Sequence, residues 1–368
     1  MTTNKKHLYN FSGGVGALPE KVISDAQQAI KEIPDSNISA LVVNHRSQLC
    51  RDILDETEQN IRTLLNVPDN YSILFLQGGA SLQFTMIPMN LWVDKKCPVD
   101  YIVSGYWSKK AIEEAFKDGE NVKTIWNGKA QNFTKLPTPN EYKIDDNAAY
   151  IHYCSNETVE GLQFTAPLET GEVTLVCDMS SDFLTRPVDV SKFGLIYVHA
   201  QKNIGAAGVT VVIIRNDLLD NIPDNVPTIL DYRPHVKMKS IYNTPPIFAI
   251  YVVLLMTRWL LNDMGGLLNV AALSKNKAEA IYDVIDNSNG FYRGHAQKEN
   301  RSLINVVFNL SSPELEKEFI EEAKNVGIIG LEGHRSLGGI RASFYTSMPL
   351  EGALYLKKFM LDFQKKNN

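Results

Sequence analysis

The sequence predicts an α/β fold organised around a largely parallel β-sheet. Three observations predict it. Short apolar runs alternate with amphipathic stretches along most of the chain, the runs are mostly apolar throughout, and Gly, Asp or Asn bounds each of them. A strand that is apolar on both sides needs helices on both faces of its sheet.

The elements follow in chain order. An amphipathic helix is expected over 20–33 and another over 52–65, then a strand over 72–76 that runs into Gly78-Gly79-Ala80-Ser81 and a helix over 82–90. A strand over 100–103 precedes Gly105-Tyr106-Trp107 and a helix over 107–116, and further strands are expected at 149–153, 173–177, 195–199 and 209–214. The longest apolar run, 247–256, reads as a buried helix. Arg258 and Asp263 interrupt it well short of the roughly 20 apolar residues that a membrane span needs, and Gly265-Gly266 ends it. Beyond those glycines the texture changes to a long helix over 267–285, a strand over 302–310, a helix over 313–326 and a strand over 340–345, which form an α+β lobe. The tail Lys365-Lys366-Asn367-Asn368 is expected to fray.

Composition narrows the function. The chain has 368 residues, 44 % hydrophobic, 21 % charged and 9 % aromatic, the mixture of an ordinary globular protein with room for a sizeable core. With 37 Lys and Arg against 42 Asp and Glu, the net charge of −5 offers no basic field for the phosphates of a nucleic acid. Cys50, Cys97, Cys154 and Cys177 lie far apart without a C-x-x-C pair, which points to reduced, buried thiols and away from a metal cage or a disulfide scaffold. The polar first ten residues hold no apolar stretch suited to a secretory signal, so the chain is read as cytoplasmic.

Lys202 comes directly after an apolar strand and just before Gly205-Ala206-Ala207-Gly208, at the carboxyl end of a strand where open α/β sheets place their ligands. Taken alone it also fits a solvated loop lysine. Asp178 ends another apolar strand and, taken alone, also fits a turn cap. Together, an amine able to form an imine and an acid able to keep a pyridine nitrogen protonated are the two groups that pyridoxal phosphate chemistry requires. The turn Gly78-Gly79-Ala80-Ser81 opens a helix and could gather backbone N–H groups on a phosphate. Trp107 could stack on a planar ring, Thr158 could hydrogen-bond a ring substituent, and Asn243-Thr244 are held rigid by Pro245 and Pro246. Each of these three also fits a purely structural place: a core tryptophan, a turn residue, a rigid loop. His45-Arg46 and His334-Arg335, with Arg341 six residues on, would suit an acid that carries two anionic groups.

These residues carry a resemblance. From NFSGG and LPE through HRS, LFLQGG, GYW, YCSNET, CDMSS, AQKN, YNTPP and IDNS to GHRSLGGIRAS, the chain resembles the phosphoserine aminotransferases, fold-type I pyridoxal-phosphate enzymes, almost end to end. The resemblance implies a large domain, 17–265, with a mostly parallel seven-stranded sheet covered by helices. It also implies a smaller α+β domain, 266–368, joined by the N-terminal segment 1–16. It implies that Lys202 carries pyridoxal 5'-phosphate, that Asp178 partners the ring nitrogen and that Trp107 stacks on the ring. Thr158 would lie at the ring's polar edge, and Ala80, Ser81 and Gln201 would bind the cofactor phosphate. Asn243 and Thr244 would reach the phosphate in the neighbouring subunit, which implies a homodimer with shared sites. Arg341 would take the substrate α-carboxylate, and His334 and Arg335, with His45 and Arg46 from across the dimer, would take the phosphate of phosphoserine or the distal carboxylate of glutamate. The implied reaction is reversible amino transfer between L-glutamate and 3-phosphohydroxypyruvate, giving 2-oxoglutarate and O-phospho-L-serine for serine biosynthesis. Three features depart from the family pattern: Gly14-Val15, the cup at Gly78-Gly79-Ala80-Ser81, and His199. Two other readings stay open at this point, the same cofactor serving a small neutral amino acid, and a silent binding protein on the same scaffold.

Overall fold

Residues 8–367 are described by the structure, a computed structural model; the expectations for residues 1–7 and for Asn368 lie outside it. Helices α1 (Glu20–Lys31) and α2 (Gln48–Leu65) lead into strand β1 (Tyr71–Leu76), followed by α3 (Gly79–Leu91), β2 (Val99–Val103), α4 (Tyr106–Asp118) and β3 (Val122–Asn127). Then come β4 (Tyr150–Cys154), β5 (Leu175–Asp178), β6 (Leu195–His199) and β7 (Thr210–Arg215). Among the described residues these seven strands form one sheet of order β1-β7-β6-β5-β4-β2-β3. Only β7 is antiparallel to its neighbours, β1 and β6, so β1 runs the same way as the parallel strands β6, β5, β4, β2 and β3.

The sheet divides the large core in two. Alternate residues of each strand enter opposite clusters: Ile73, Tyr153, Leu175, Ile196 and Val211 face one side with Ile53, Ile61 and Leu254, while Leu74, Tyr150, Val176, Tyr197 and Val212 face the other with Phe84, Ile87 and Ile112. This period of two is what apolar-throughout strands require when both faces are covered.

Helix α5 (Ile247–Asn262) is the buried apolar helix expected, and α6 (Leu267–Asp286) follows it after a bend of 91°. Among the described residues no single helix is long and apolar enough to cross a membrane. The chain ends with β8 (Asn305–Asn309), α7 (Pro313–Asn325), β9 (Ile340–Ser343) and α8 (Leu350–Asn367). Strands β8 and β9 pair antiparallel, and Phe11, Ile281, Phe308, Phe319, Ile340 and Phe363 share a third cluster. Phe11 reaches this cluster because Tyr9-Asn10 pairs with Ile328-Ile329.

Three expectations are corrected. The strand β3 is unforeseen, since its Lys123 and Thr124 are exposed and its burial follows no clean alternation. The tail is helical through Asn367 where fraying is expected, because Ala353, Leu356, Met360 and Phe363 form a buried stripe. Cys97 is partly exposed, whereas Cys50, Cys154 and Cys177 are buried.

One buried cation fixes the small sheet to α6. Lys277 is fully buried, and its Nζ donates to the carbonyls of Phe344 at 3.2 Å, Tyr345 at 2.9 Å and Met348 at 2.9 Å. Three acceptors match the three N–H bonds of an ammonium, while burial pushes the amine pKa down to about 7. Lys277→Met removes the side-chain donor from all three carbonyls, of which, among the described residues, only that of Tyr345 keeps a further bond, from the Met348 N–H, and is expected to cost about 2–4 kcal/mol, read as a lower urea midpoint. An unchanged midpoint would show that the three bonds stabilise nothing.

Candidate active site

The carboxyl ends of β1, β2, β4, β5 and β6 open on one edge of the sheet, the address at which such sheets bind ligands. Asp178 is the last residue of β5, and Lys202 stands three residues beyond β6. Thr158 follows the short pair Asn156–Glu157 after β4, Trp107 lies in the first turn of α4 after β2, and Gly78-Gly79-Ala80-Ser81 joins β1 to α3.

Lys202 Nζ donates to Thr158 Oγ1 at 2.7 Å and to Ser181 Oγ at 3.0 Å, and it lies 5.1 Å from the centre of the Trp107 ring. The two hydroxyls are also hydrogen-bonded to each other. Burial pushes the Lys202 amine below its ordinary value, an effect opposed by the nearby charges of Asp178, Cys154 and Glu157 and assisted by Arg341. Asp178 is buried, and its Oδ1 accepts the Ser180 N–H at 2.8 Å. Burial pushes its carboxyl up, while Lys202 and Ser180 pull it back. An acid and an amine placed at the ends of neighbouring strands can thus meet opposite sides of one small ligand.

A helix leaves its first N–H groups without partners inside the helix. Ala80 and Ser81, second and third in α3, present such groups at the mouth of β1. The His199 ring packs against this turn: a Cβ on Gly79 would lie 3.2 Å from His199 Cε1. Its backbone N–H donates to Ser180 Oγ at 3.1 Å, and burial followed by Lys202 pushes the imidazole pKa down. The Gln201 carbonyl accepts the Gly16 N–H at 2.8 Å, which brings the N-terminal segment across the lysine loop.

Arg341, on β9, is reached by that same segment. A Cβ on Gly13 would lie 2.5 Å from Arg341 Cζ, so a side chain at position 13 would push the guanidinium aside. Arg341 Nη1 donates to the Thr158 carbonyl at 3.4 Å, its Nε is buried without a partner, and among the described residues it has no ion pair. A half-buried guanidinium whose Nε meets no acceptor can take an anion. His334 is half-buried beside Tyr106, with ring centres 4.8 Å apart, and its Nδ1 bonds Ser336 Oγ at 2.7 Å, while Arg335 is exposed.

Four expected residues lie elsewhere. His45 and Arg46 line a cleft of about 630 Å³ with Lys237, Met238 and Tyr242, which Lys202 and Asp178 do not line. Asn243 and Thr244 are exposed, although the Thr244 carbonyl accepts Gln77 Nε2 at 2.7 Å next to the Gly78-Gly79 turn. Ser181, Glu157, Glu160 and Tyr106 also belong to the site; nothing in the sequence sets them apart beyond the run of hydroxyls in CDMSS. The whole arrangement fits an aromatic aldehyde carrying a phosphate. Trp107 supplies a ring face, its Nε1 still without a partner, Lys202 an amine of lowered pKa, Asp178 a buried acid, and α3 its free amides.

The comparisons agree with this chemistry. Residues 8–356 match the family model of the class-V aminotransferases. A phosphoserine aminotransferase of Rhodopirellula baltica is 46 % identical over 100 % of this chain and 97 % of its own. Among solved structures, the phosphoserine aminotransferase of Bacillus circulans subsp. alkalophilus is 43 % identical with a TM-score of 0.96, over 99 % of this chain and 100 % of its own. The pyridoxal-phosphate-bound phosphoserine aminotransferase of Trichomonas vaginalis is 36 % identical with a TM-score of 0.90, over 96 % of this chain and 100 % of its own.

Proposed function

Since the chain belongs to the class-V aminotransferases, we propose that Lys202 and Asp178 are its catalytic pair, with Arg341 as the seat of the substrate α-carboxylate. The enzyme is a pyridoxal-phosphate-dependent aminotransferase. It transfers an amino group reversibly between L-glutamate and 3-phosphohydroxypyruvate, giving O-phospho-L-serine and 2-oxoglutarate, a step of L-serine biosynthesis. The observation that carries the residue assignment is the Lys202 amine, held by two hydroxyls under the Trp107 ring and one strand from Asp178.

When bound, the cofactor supplies an electron sink for charge that develops at the substrate α-carbon. Lys202, its pKa lowered by burial, takes and returns the proton at that carbon. Asp178 holds a proton on the ring nitrogen, a charge pair that offsets the cost of its own burial. Trp107 covers one ring face and keeps water from it. Thr158 sets the ring's polar edge, while the amides of Ala80 and Ser81, with Gln201, hold the phosphate. Arg341 grips the carboxylate, and His334 with Arg335 addresses the distal anion.

His45, Arg46, Asn243 and Thr244 serve a second copy's site in this reading, so the enzyme works as a homodimer. In support, Leu41, Val42, Ile229, Met238 and Tyr242 are large apolar side chains exposed on a single copy, and Met238 and Tyr242 line the same cleft as His45 and Arg46. The reading also takes 17–265 as the larger domain and 266–368 with 1–16 as the smaller, supported by the core that Phe11 shares with Ile281 and Phe308. A cytoplasmic location is supported by four free thiols; neither a membrane nor a nucleic acid is expected as a partner.

Two experiments follow. With 2-oxoglutarate as acceptor, O-phosphoserine is expected to be used roughly 100-fold better in kcat/KM than alanine or cysteine, because hydrogen bonds to a charged group contribute about 1.5–3 kcal/mol each. Preference for a neutral amino acid would overturn the assignment of the arginines. The second concerns pH. The neutral amine captures the aldehyde, so cofactor uptake by the apoprotein is expected to accelerate as pH rises and to level off below the ordinary lysine value of 10.5. Levelling at or above that value would contradict the lowered pKa of Lys202.

A further inference from the structure

Helix α4 starts in an unusual way. Its cap position is Gly105, which has no side chain to receive the free N–H groups of the first turn. A remote carboxylate receives them. Glu157 Oε2 accepts the Trp107 N–H at 3.0 Å, and Oε1 accepts the Ser108 N–H at 3.1 Å, Ser108 Oγ at 2.5 Å and Ser104 Oγ at 3.2 Å. Glu160 takes the remaining amide, with Tyr106 N–H donating to its Oε1 at 2.9 Å. Both carboxylates are buried, Glu157 completely, and glycine is needed between them: a Cβ at position 105 would lie 2.4 Å from Glu160 Oε2 and 2.7 Å from Glu157 Cδ.

A serine or aspartate is the usual local cap of a helix, but position 105 is buried against the two carboxylates and leaves no room for a side chain. The chain uses instead a fully buried acid whose burial pushes its carboxyl pKa up, against the pull of the Ser108 and Trp107 bonds. What the longer arrangement adds is a link. Residue 158, next to Glu157, is the threonine that accepts from Lys202. One dipeptide therefore touches the lysine amine through one side chain and the backbone of Trp107 through the other. Among the described residues the Trp107 Nε1 has no partner, so no side-chain hydrogen bond of its own fixes the tilt of the ring.

We propose that Glu157 is a positioning residue for the cofactor site: by holding the first turn of α4 it sets the Trp107 ring at the height above Lys202 that a stacked pyridine ring needs. This rests on the reading of Trp107 as the cofactor's stacking partner. Glu157 touches neither cofactor nor substrate; its effect passes through Trp107. The charged N-terminus of a helix favours a carboxylate at this place, and hydrogen bonds to a charge are among the stronger ones a site can use.

The test is the affinity of the apoprotein for pyridoxal 5'-phosphate, read from the visible absorption of the bound cofactor, in wild type, Glu157→Gln, Trp107→Ala and the double variant. Glutamine keeps the shape but turns an NH2 group against the amides, so E157Q is expected to weaken cofactor binding roughly tenfold or more in the wild-type background. In the W107A background the same change is expected to alter it less than about twofold, the signature of two residues acting through one contact. Equal losses in both backgrounds, or no loss in the first, would overturn the proposal. Should E157Q fail to fold, Ser104→Ala removes one of the four bonds and is expected to weaken binding in the same background-dependent way; an effect indifferent to Trp107 would again overturn it. The underlying reading fails differently: W107A would then bind the cofactor as tightly as wild type.

Discussion

Replacing Lys202 with Ala is expected to lower amino transfer between phosphoserine and 2-oxoglutarate by roughly 10³-fold or more, since the variant loses both the amine that holds the cofactor and the group that moves the α-proton. The fold is expected to stand. Among the described residues the Lys202 side chain bonds two hydroxyls, Thr158 Oγ1 and Ser181 Oγ, which also bond each other. Its removal breaks no ion pair, although the buried Asp178 loses a nearby positive charge, so the thermal midpoint of K202A should lie close to that of the wild-type apoprotein. Steady-state kinetics with a melting curve separates the two effects. Full turnover in K202A would refute the assignment, and collapse of the fold would show that the lysine is structural.

Arg341→Ala is expected to reduce kcat/KM for phosphoserine and for glutamate alike, by roughly 10²–10³-fold, the range for losing one partner of a desolvated charge pair. The equality is the informative part. Arg341 sits against Gly13 with a buried, unpartnered Nε and, among the described residues, no ion pair, the buried Glu160 acting on it without bonding it, so the substrate α-carboxylate, common to both amino acids, is the group it would meet. A variant that loses phosphoserine but keeps glutamate would place Arg341 at the distal anion and return the α-carboxylate to another cation.

Much of this was legible before any coordinates. The strand ends that carry Asp178 and Lys202 show as apolar runs closed by a polar residue, and their register, Asp178 opposite Tyr197 in β6, puts both at one edge. The direction of β7 was not legible, because an apolar strand reads the same in either sense; the edge strand β3 was not, because a half-exposed strand loses its alternation. His45 and Arg46 reveal their chemistry in the sequence but not which copy's site they serve. Glu157 and Glu160 were the least visible. A glutamate in a turn normally reads as a solvated surface charge, and only the folded chain brings position 157 against the amides of positions 107 and 108.

The most direct measurement is peptide mapping by mass spectrometry after borohydride reduction of the protein loaded with pyridoxal 5'-phosphate. The adduct is expected on the peptide that contains Lys202, in wild type and in Asp178→Asn alike, with the visible spectrum of the unreduced D178N protein shifted. An adduct on any other lysine, or none at all, would contradict the account.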